Sequence, residues 1–198
     1  MSFRIEEKLF IKKENLVEFK EFLQGKSVKQ IYYPRLIESL YFDNINLDMY
    51  TDSKEGLTPR KKIRCRVYPD DTDKKIYLEV KNSSVEGRFK TRKILNEIEY
   101  KEKVSSGILD NQYGMCYPKL YVKYKRDYSI IDDVRISIDR EIKYRDFKTN
   151  IEFNDENIIV ELKTSYNKNL DKLINDFPIQ RIRFSKYCFA IEKLYNFN

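Results

Sequence analysis

The 198-residue chain contains no histidine. That absence excludes imidazole acid–base catalysis and histidine ligation of a metal. Cysteine is scarce. Cys65, Cys116 and Cys188 are odd in number and lack metal-ligand spacing. Cys65 alternates with apolar neighbours and reads as a small core residue, which fits a reducing compartment. No apolar run approaches the roughly 20 residues that span a bilayer. The opening Met1-Ser2-Phe3-Arg4 leads into charge, without the apolar segment of a secretory signal. Linkers and low-complexity tracts are also missing. The expectation is a soluble cytoplasmic protein with one domain over residues 1–198. A chain of this length buries about 70% of its unfolded surface, so a core forms without staples.

Charge, by contrast, is abundant. Charged residues make up 36% of the chain, with 39 basic and 32 acidic side chains and a formal net charge of +7. Such a balance points to anionic partners, whether nucleic acid, acidic lipid or phosphate compounds, without choosing among them. The charges are also patterned. Side chains in a strand alternate faces with period two. Glu6-Glu7-Lys8, Glu79-Val80-Lys81 and Glu161-Leu162-Lys163 each put a carboxylate and a lysine on one face. Arg64-Cys65-Arg66 and Lys90-Thr91-Arg92 do the same with two cations, and Tyr124-Lys125-Arg126 with a phenol and a cation. The opposite faces are apolar: Ile63, Cys65 and Val67; Ile76, Leu78 and Val80; Val134, Ile136 and Ile138; Ile158, Val160 and Leu162.

The pattern predicts strands over 3–11, 36–42, 61–68, 75–82, 88–95, 118–128, 135–139 and 158–163. Helical spacing follows Asn15 (Leu16, Phe19, Leu23), returns at Leu170, Leu173, Ile174 and Phe177, and closes the chain at Tyr187, Ala190, Ile191 and Leu194. Residues 43–50 read as a turn and a short helix, and 96–116 read as helical. About eight antiparallel strands with peripheral helices define an α+β fold, an eight-stranded antiparallel β-barrel. Two arrangements satisfy the alternation. The charged faces lie in water, or they point inward, where some ten basic groups demand a polyanion.

The strings resemble, in order, those of the VTC domain, the catalytic domain of vacuolar transporter chaperone polyphosphate polymerases within the CYTH-like triphosphate tunnel metalloenzymes. Arg4-Ile5-Glu6-Glu7-Lys8 resembles the opening strand and Ser39-Leu40-Tyr41-Phe42-Asp43 the family's S-x-Y-F-D string. Then come Arg64-Cys65-Arg66-Val67-Tyr68, Leu78-Glu79-Val80-Lys81, Lys90-Thr91-Arg92, Tyr124-Lys125-Arg126, Val134 to Asp139, Val160-Glu161-Leu162-Lys163 and Phe184-Ser185-Lys186-Tyr187. Arg4 stands where the cyclase and thiamine triphosphatase branch has the first glutamate of E-x-E-x-K, which favours the VTC branch. The eukaryotic relatives also carry an SPX domain and membrane helices. This chain shows neither, so sensing and translocation are not assigned to it, and regulatory or membrane partners stay open.

The resemblance implies transfer of the ATP γ-phosphoryl group onto a growing polyphosphate, with Mn2+ or Mg2+. Such a reaction needs positioning and charge neutralisation more than a protein nucleophile. Arg64, Arg66, Arg126 and Arg135 suit bidentate phosphate contacts, and Lys81 and Lys186 act as point charges beside them. Lys8, Lys90, Arg92, Tyr124, Lys163 and Ser185 are the expected substrate-binding residues, with Ser185 at a helix N-terminus. Glu161, then Glu6, are the expected metal ligands. Glu79 reads better as an internal counter-ion. The same scaffold with water as acceptor hydrolyses triphosphate, and a non-catalytic polyanion binder is the third reading. The 16 tyrosines and 12 phenylalanines fall mostly on apolar stripes, so no nucleic-acid partner is expected.

Overall fold

The computed structural model describes residues 4–26, 28–131, 133–165 and 182–195. The alternating segments form β1 (Arg4–Ile11), β2 (Lys29–Asp43), β3 (Arg60–Val67), β4 (Ile76–Ser84) and β5 (Gly87–Leu95). They continue as β6 (Ile108–Asp110), β7 (Gly114–Ile131), β8 (Val134–Asp146), β9 (Glu152–Asp155) and β10 (Ile158–Ser165). Four helices are described: α1 (Leu16–Gly25), α2 (Asp48–Glu55), α3 (Glu97–Ser106) and α4 (Lys186–Leu194). The strands form one ten-stranded sheet in the order β1-β10-β8-β7-β2-β3-β4-β5, with β6 on β7 and β9 on β8. The α+β, antiparallel architecture is the expected one, and the eight strands of the main order match the eight foreseen. Among the described residues the order ends at β1 and β5 without a pairing between them. The helix expected around Leu170 to Phe177 lies outside the described residues.

The chain divides into two compact units. Unit one holds residues 1–35, 124–142 and 154–184. Its core packs Leu9, Ile11, Val134, Ile136, Ile138, Val160 and Leu162 against Phe19 and Leu23 of α1. These are the apolar faces that period two selects, so the charged faces of β1, β8 and β10 are left on the other side of the sheet. Unit two holds residues 36–123, 143–153 and 185–198. There Leu40, Phe42, Ile63 and Cys65 pack with Met49 of α2, and Tyr100 and Val104 of α3 cover them.

One expectation changes in unit two. Residues 96–116 are not one helix: α3 stops at Ser106 and β6 begins at Ile108. Gly107 makes the break at φ 86° and ψ −175°, and a Cβ there would meet the Cys116 carbonyl oxygen at 2.9 Å. Only glycine accepts that geometry.

Candidate functional site: two basic sheet faces

In unit two the register assembles the polar face row by row. Tyr41, Arg64, Glu79 and Arg92 lie opposite one another across β2, β3, β4 and β5. Ser39, Arg66 and Tyr77 form the row on one side, and Lys62, Lys81 and Lys90 the row on the other. Glu79 is fully buried at the centre. Arg64 donates to it through Nε at 2.9 Å and Nη2 at 2.6 Å. Lys90 Nζ lies at 2.5 Å, Arg92 Nε at 3.3 Å and Arg66 Nη1 at 3.8 Å. Burial alone would raise the carboxyl pKa, but the flanking cations, Arg64 first, hold it down at about 2. Four cations thus surround one carboxylate, and a surplus of positive charge remains.

Neighbouring side chains fix these arginines. Arg64 Nη1 donates to the Tyr41 hydroxyl at 2.9 Å, and Arg66 Nε to Ser39 Oγ at 3.0 Å. The Arg92 guanidinium lies 3.5 Å from the Tyr77 ring centroid and donates to the Tyr68 hydroxyl at 3.2 Å. Burial pushes the Tyr41 phenol up, yet Arg64 and Arg66 outweigh it and the pKa is lowered. Tyr41 also stacks on Tyr187 of α4, with centroids 5.2 Å apart. The Tyr187 hydroxyl donates to buried Asp43 at 2.6 Å, and Asp43 accepts the backbone N–H groups of Asn44, Met49 and Tyr50. Asp43 therefore anchors α2 and α4 beneath the face. Ser185 is the N-cap of α4 and accepts from the Cys188 N–H at 3.4 Å, and Lys186 opens the helix.

Unit one carries a second polar face. Its rows read Glu6, Lys163, Arg135 and then Lys8, Glu161, Ser137 across β1, β10 and β8. Lys163 Nζ sits between two carboxylates, 3.1 Å from Glu6 and 3.3 Å from Glu161. Arg126 is bidentate to Asp139 at 2.5 and 2.7 Å and reaches Glu161 at 3.7 Å. Burial alone would lower its pKa; Asp139, Tyr124 and Glu161 together hold it well above the ordinary value. Its guanidinium lies 5.3 Å from the Tyr124 ring centroid. Arg135 packs over Tyr128 at 5.2 Å and Tyr32 at 5.9 Å. Lys8 Nζ donates to the Phe184 carbonyl at 2.6 Å.

The expected site residues thus gather on two faces, each within its unit. Arg64, Arg66, Lys81, Lys90 and Arg92 share one, and Glu6, Lys8, Arg126, Arg135, Glu161 and Lys163 share the other. Sequence reasoning missed Ser39, Tyr41, Lys62, Tyr68 and Tyr77. The first two stand in the S-x-Y-F-D string, and Lys62 is two residues before Arg64. Several tyrosines thus line the charged faces rather than apolar stripes.

Among the described residues no cluster of three or more acidic or thiol side chains could hold a metal ion. Glu6 and Glu161 converge on one ammonium, and their oxygens are the hard donors that Mg2+ or Mn2+ takes. The two carboxylates fit such an ion in kind, as donors, but not in number.

The chain belongs to the VTC domain family, whose model matches residues 3–195. It resembles the crystal structure of a candidate adenylate cyclase from Bacillus halodurans, with TM-score 0.62, 14% identity and 98% of each chain covered. A Hippeastrum candidate adenylyl cyclase, described as having a dominant triphosphatase activity, matches at TM-score 0.59 and 13% identity, over 98% of this chain and 96% of that one. A Vibrio parahaemolyticus candidate adenylate cyclase matches at 0.56 and 12%, over 94% and 96%. No curated protein matches the chain. No described helix is long and apolar enough to cross a membrane.

Proposed function

We propose that this protein carries out metal-dependent phosphoryl transfer on triphosphate or polyphosphate, and that it makes polyphosphate from ATP. The observation that carries this reading is the surplus of cations about the buried carboxylate of Glu79, a face that a phosphate chain completes. Arg64, Arg66, Lys81 and Lys90 bind phosphate oxygens, with Arg92 oriented by Tyr77. On the other face Arg126, Arg135 and Lys163 do the same, with Tyr124 and Lys8 beside them. Lys186 and Ser185 add a charge and the α4 N-terminus. Glu161 and Glu6 hold a divalent cation, which offsets charge on the phosphate oxygens when bound. Three buried free cysteines suit a reducing compartment such as the cytoplasm.

Hydrolysis is the second reading, favoured by the triphosphatase activity of the Hippeastrum neighbour. The protein is incubated with ATP, MnCl2 or MgCl2 and a short polyphosphate primer, and products are resolved on a polyacrylamide gel. A ladder longer than the primer supports synthesis, and free phosphate alone supports hydrolysis. Retained tripolyphosphate binding without turnover across metals leaves a polyanion-binding module. Glu161→Gln is expected to lower metal-dependent turnover by about two orders of magnitude or more while tripolyphosphate still binds. Unchanged turnover in that variant removes Glu161 from the metal site.

A further inference from the structure

Lys62 lies in β3 on the same face as Arg64 and Arg66, and directly across from it stand Lys81 and then Lys90. Opposed residues of antiparallel strands have Cβ atoms about 5 Å apart, and like charges so placed repel. Lys90 pairs with Glu79 of the neighbouring row, and Asp43, which ends β2, is engaged by the Tyr187 hydroxyl and by backbone N–H groups of α2. Lys62 is also half-buried, and among the described residues its ammonium has neither a hydrogen bond nor an ion pair. Every other cation named on this face has such a contact or sits more exposed. The groups facing Lys62 are Tyr41 from β2, Cys188 from α4, Arg60 and Arg64 from its own strand, and Lys81 from β4. None of these is a carboxylate.

We propose that Lys62 is a further phosphate-binding residue of the unit-two face, and that it takes up a proton from solvent when a phosphate chain binds. This rests on the phosphate-binding reading above and deepens it. In the free protein, burial disfavours the ammonium and Arg60 and Arg64 add to that; Cys188 and Tyr41 oppose it, and the pKa is lowered. A polyanion laid across the lysine row reverses the balance, because it brings negative charge beside the Lys62 ammonium. The amine then gains H+ from water or buffer and donates to a phosphate oxygen. Binding is therefore linked to proton uptake and weakens as the solution becomes more alkaline.

The test uses the whole protein, tripolyphosphate as probe, no metal, low salt and pH 9. Calorimetric titrations in two buffers of different ionisation enthalpy count the protons exchanged. Wild type is compared with Lys62→Arg, whose guanidinium stays charged throughout. The ligand's own ionisation is common to both and cancels in the difference. Wild type is expected to take up a measurable fraction of a proton more than the arginine variant. Lys62→Met is expected to weaken binding about tenfold, yet to raise the melting temperature of the free protein, since it removes a half-buried charge without a partner. A lysine with only a structural role would lower the melting temperature and leave affinity alone. Equal proton counts in wild type and Lys62→Arg, or unchanged affinity in Lys62→Met, overturn the inference while leaving the functional reading intact. Absence of tripolyphosphate binding by wild type overturns both.

Discussion

Glu79 shows at the scale of one residue how the basic face survives folding. Its carboxyl titrates at about 2 instead of 4.5, because the ion pairs to Arg64, Arg66, Lys90 and Arg92 exist only in the folded chain. A folded-state value below the ordinary one means that the stabilisation is complete above about pH 4.5 and is lost as the pH falls through about 2. The difference corresponds to roughly 3 kcal/mol. Urea unfolding across this window is expected to show stability falling with acid in wild type. In Glu79→Gln the curve is flatter and lower at neutral pH, and tripolyphosphate restores part of the loss; a variant as stable as wild type at pH 7 would contradict this. Such residues differ in how legible they are. Arg64, Arg66, Lys81 and Glu79 stand out because charge recurring at period two against an apolar face marks a two-sided strand and little else. Tyr41 and Tyr77 do not, because a tyrosine in a strand serves a core equally well. Its role depends on the arginine that the register places beside it.

At the scale of elements, α3 is informative because none of its residues is buried. Its stability leans on its N-terminus, where the Asn96 side chain accepts the Glu99 N–H at 2.9 Å and Glu99 accepts the Asn96 N–H in return. Asn96→Ala is expected to cost about 1 kcal/mol in urea unfolding, and a cost near zero would show that Tyr100 and Val104 hold the helix unaided. The C-terminus of the same helix is hard to read from spacing. Helical periodicity runs on past Gly107, and the stop is made by one backbone conformation. β8 runs long for a related reason. It continues to Asp146 through Glu141, whose φ of 55° lies in the left-handed region. No side-chain pattern announces a non-glycine residue there, so the alternation carries the strand only as far as Asp139.

At the scale of the whole molecule, charge is the dominant feature, with a net +7 and two basic faces built by the same alternation. Tripolyphosphate is expected to raise the melting temperature at low salt, because a ligand bound only by the folded state stabilises it. The shift should shrink strongly near 1 M salt, where the screening length falls to about 3 Å, and Arg64→Ala should reduce it at every salt concentration. A shift insensitive to salt would argue against electrostatic binding. The order of charged strings is legible along most of the chain because every string but the last, which opens α4, lies in a strand, and strand order is fixed in sequence. Sheet order is not, since the neighbours β7 and β2 are far apart in the chain. Glu79 carries a final consequence for the timing of events. Long basic side chains lose on the order of 1.5–2 kcal/mol each in freedom when they are fixed. Here that loss falls within folding, when the resident carboxylate gathers four of them. On the phosphate-binding function proposed above, an arriving phosphate chain would meet cations already aligned, and could dock and slide away without first having to assemble its own cradle.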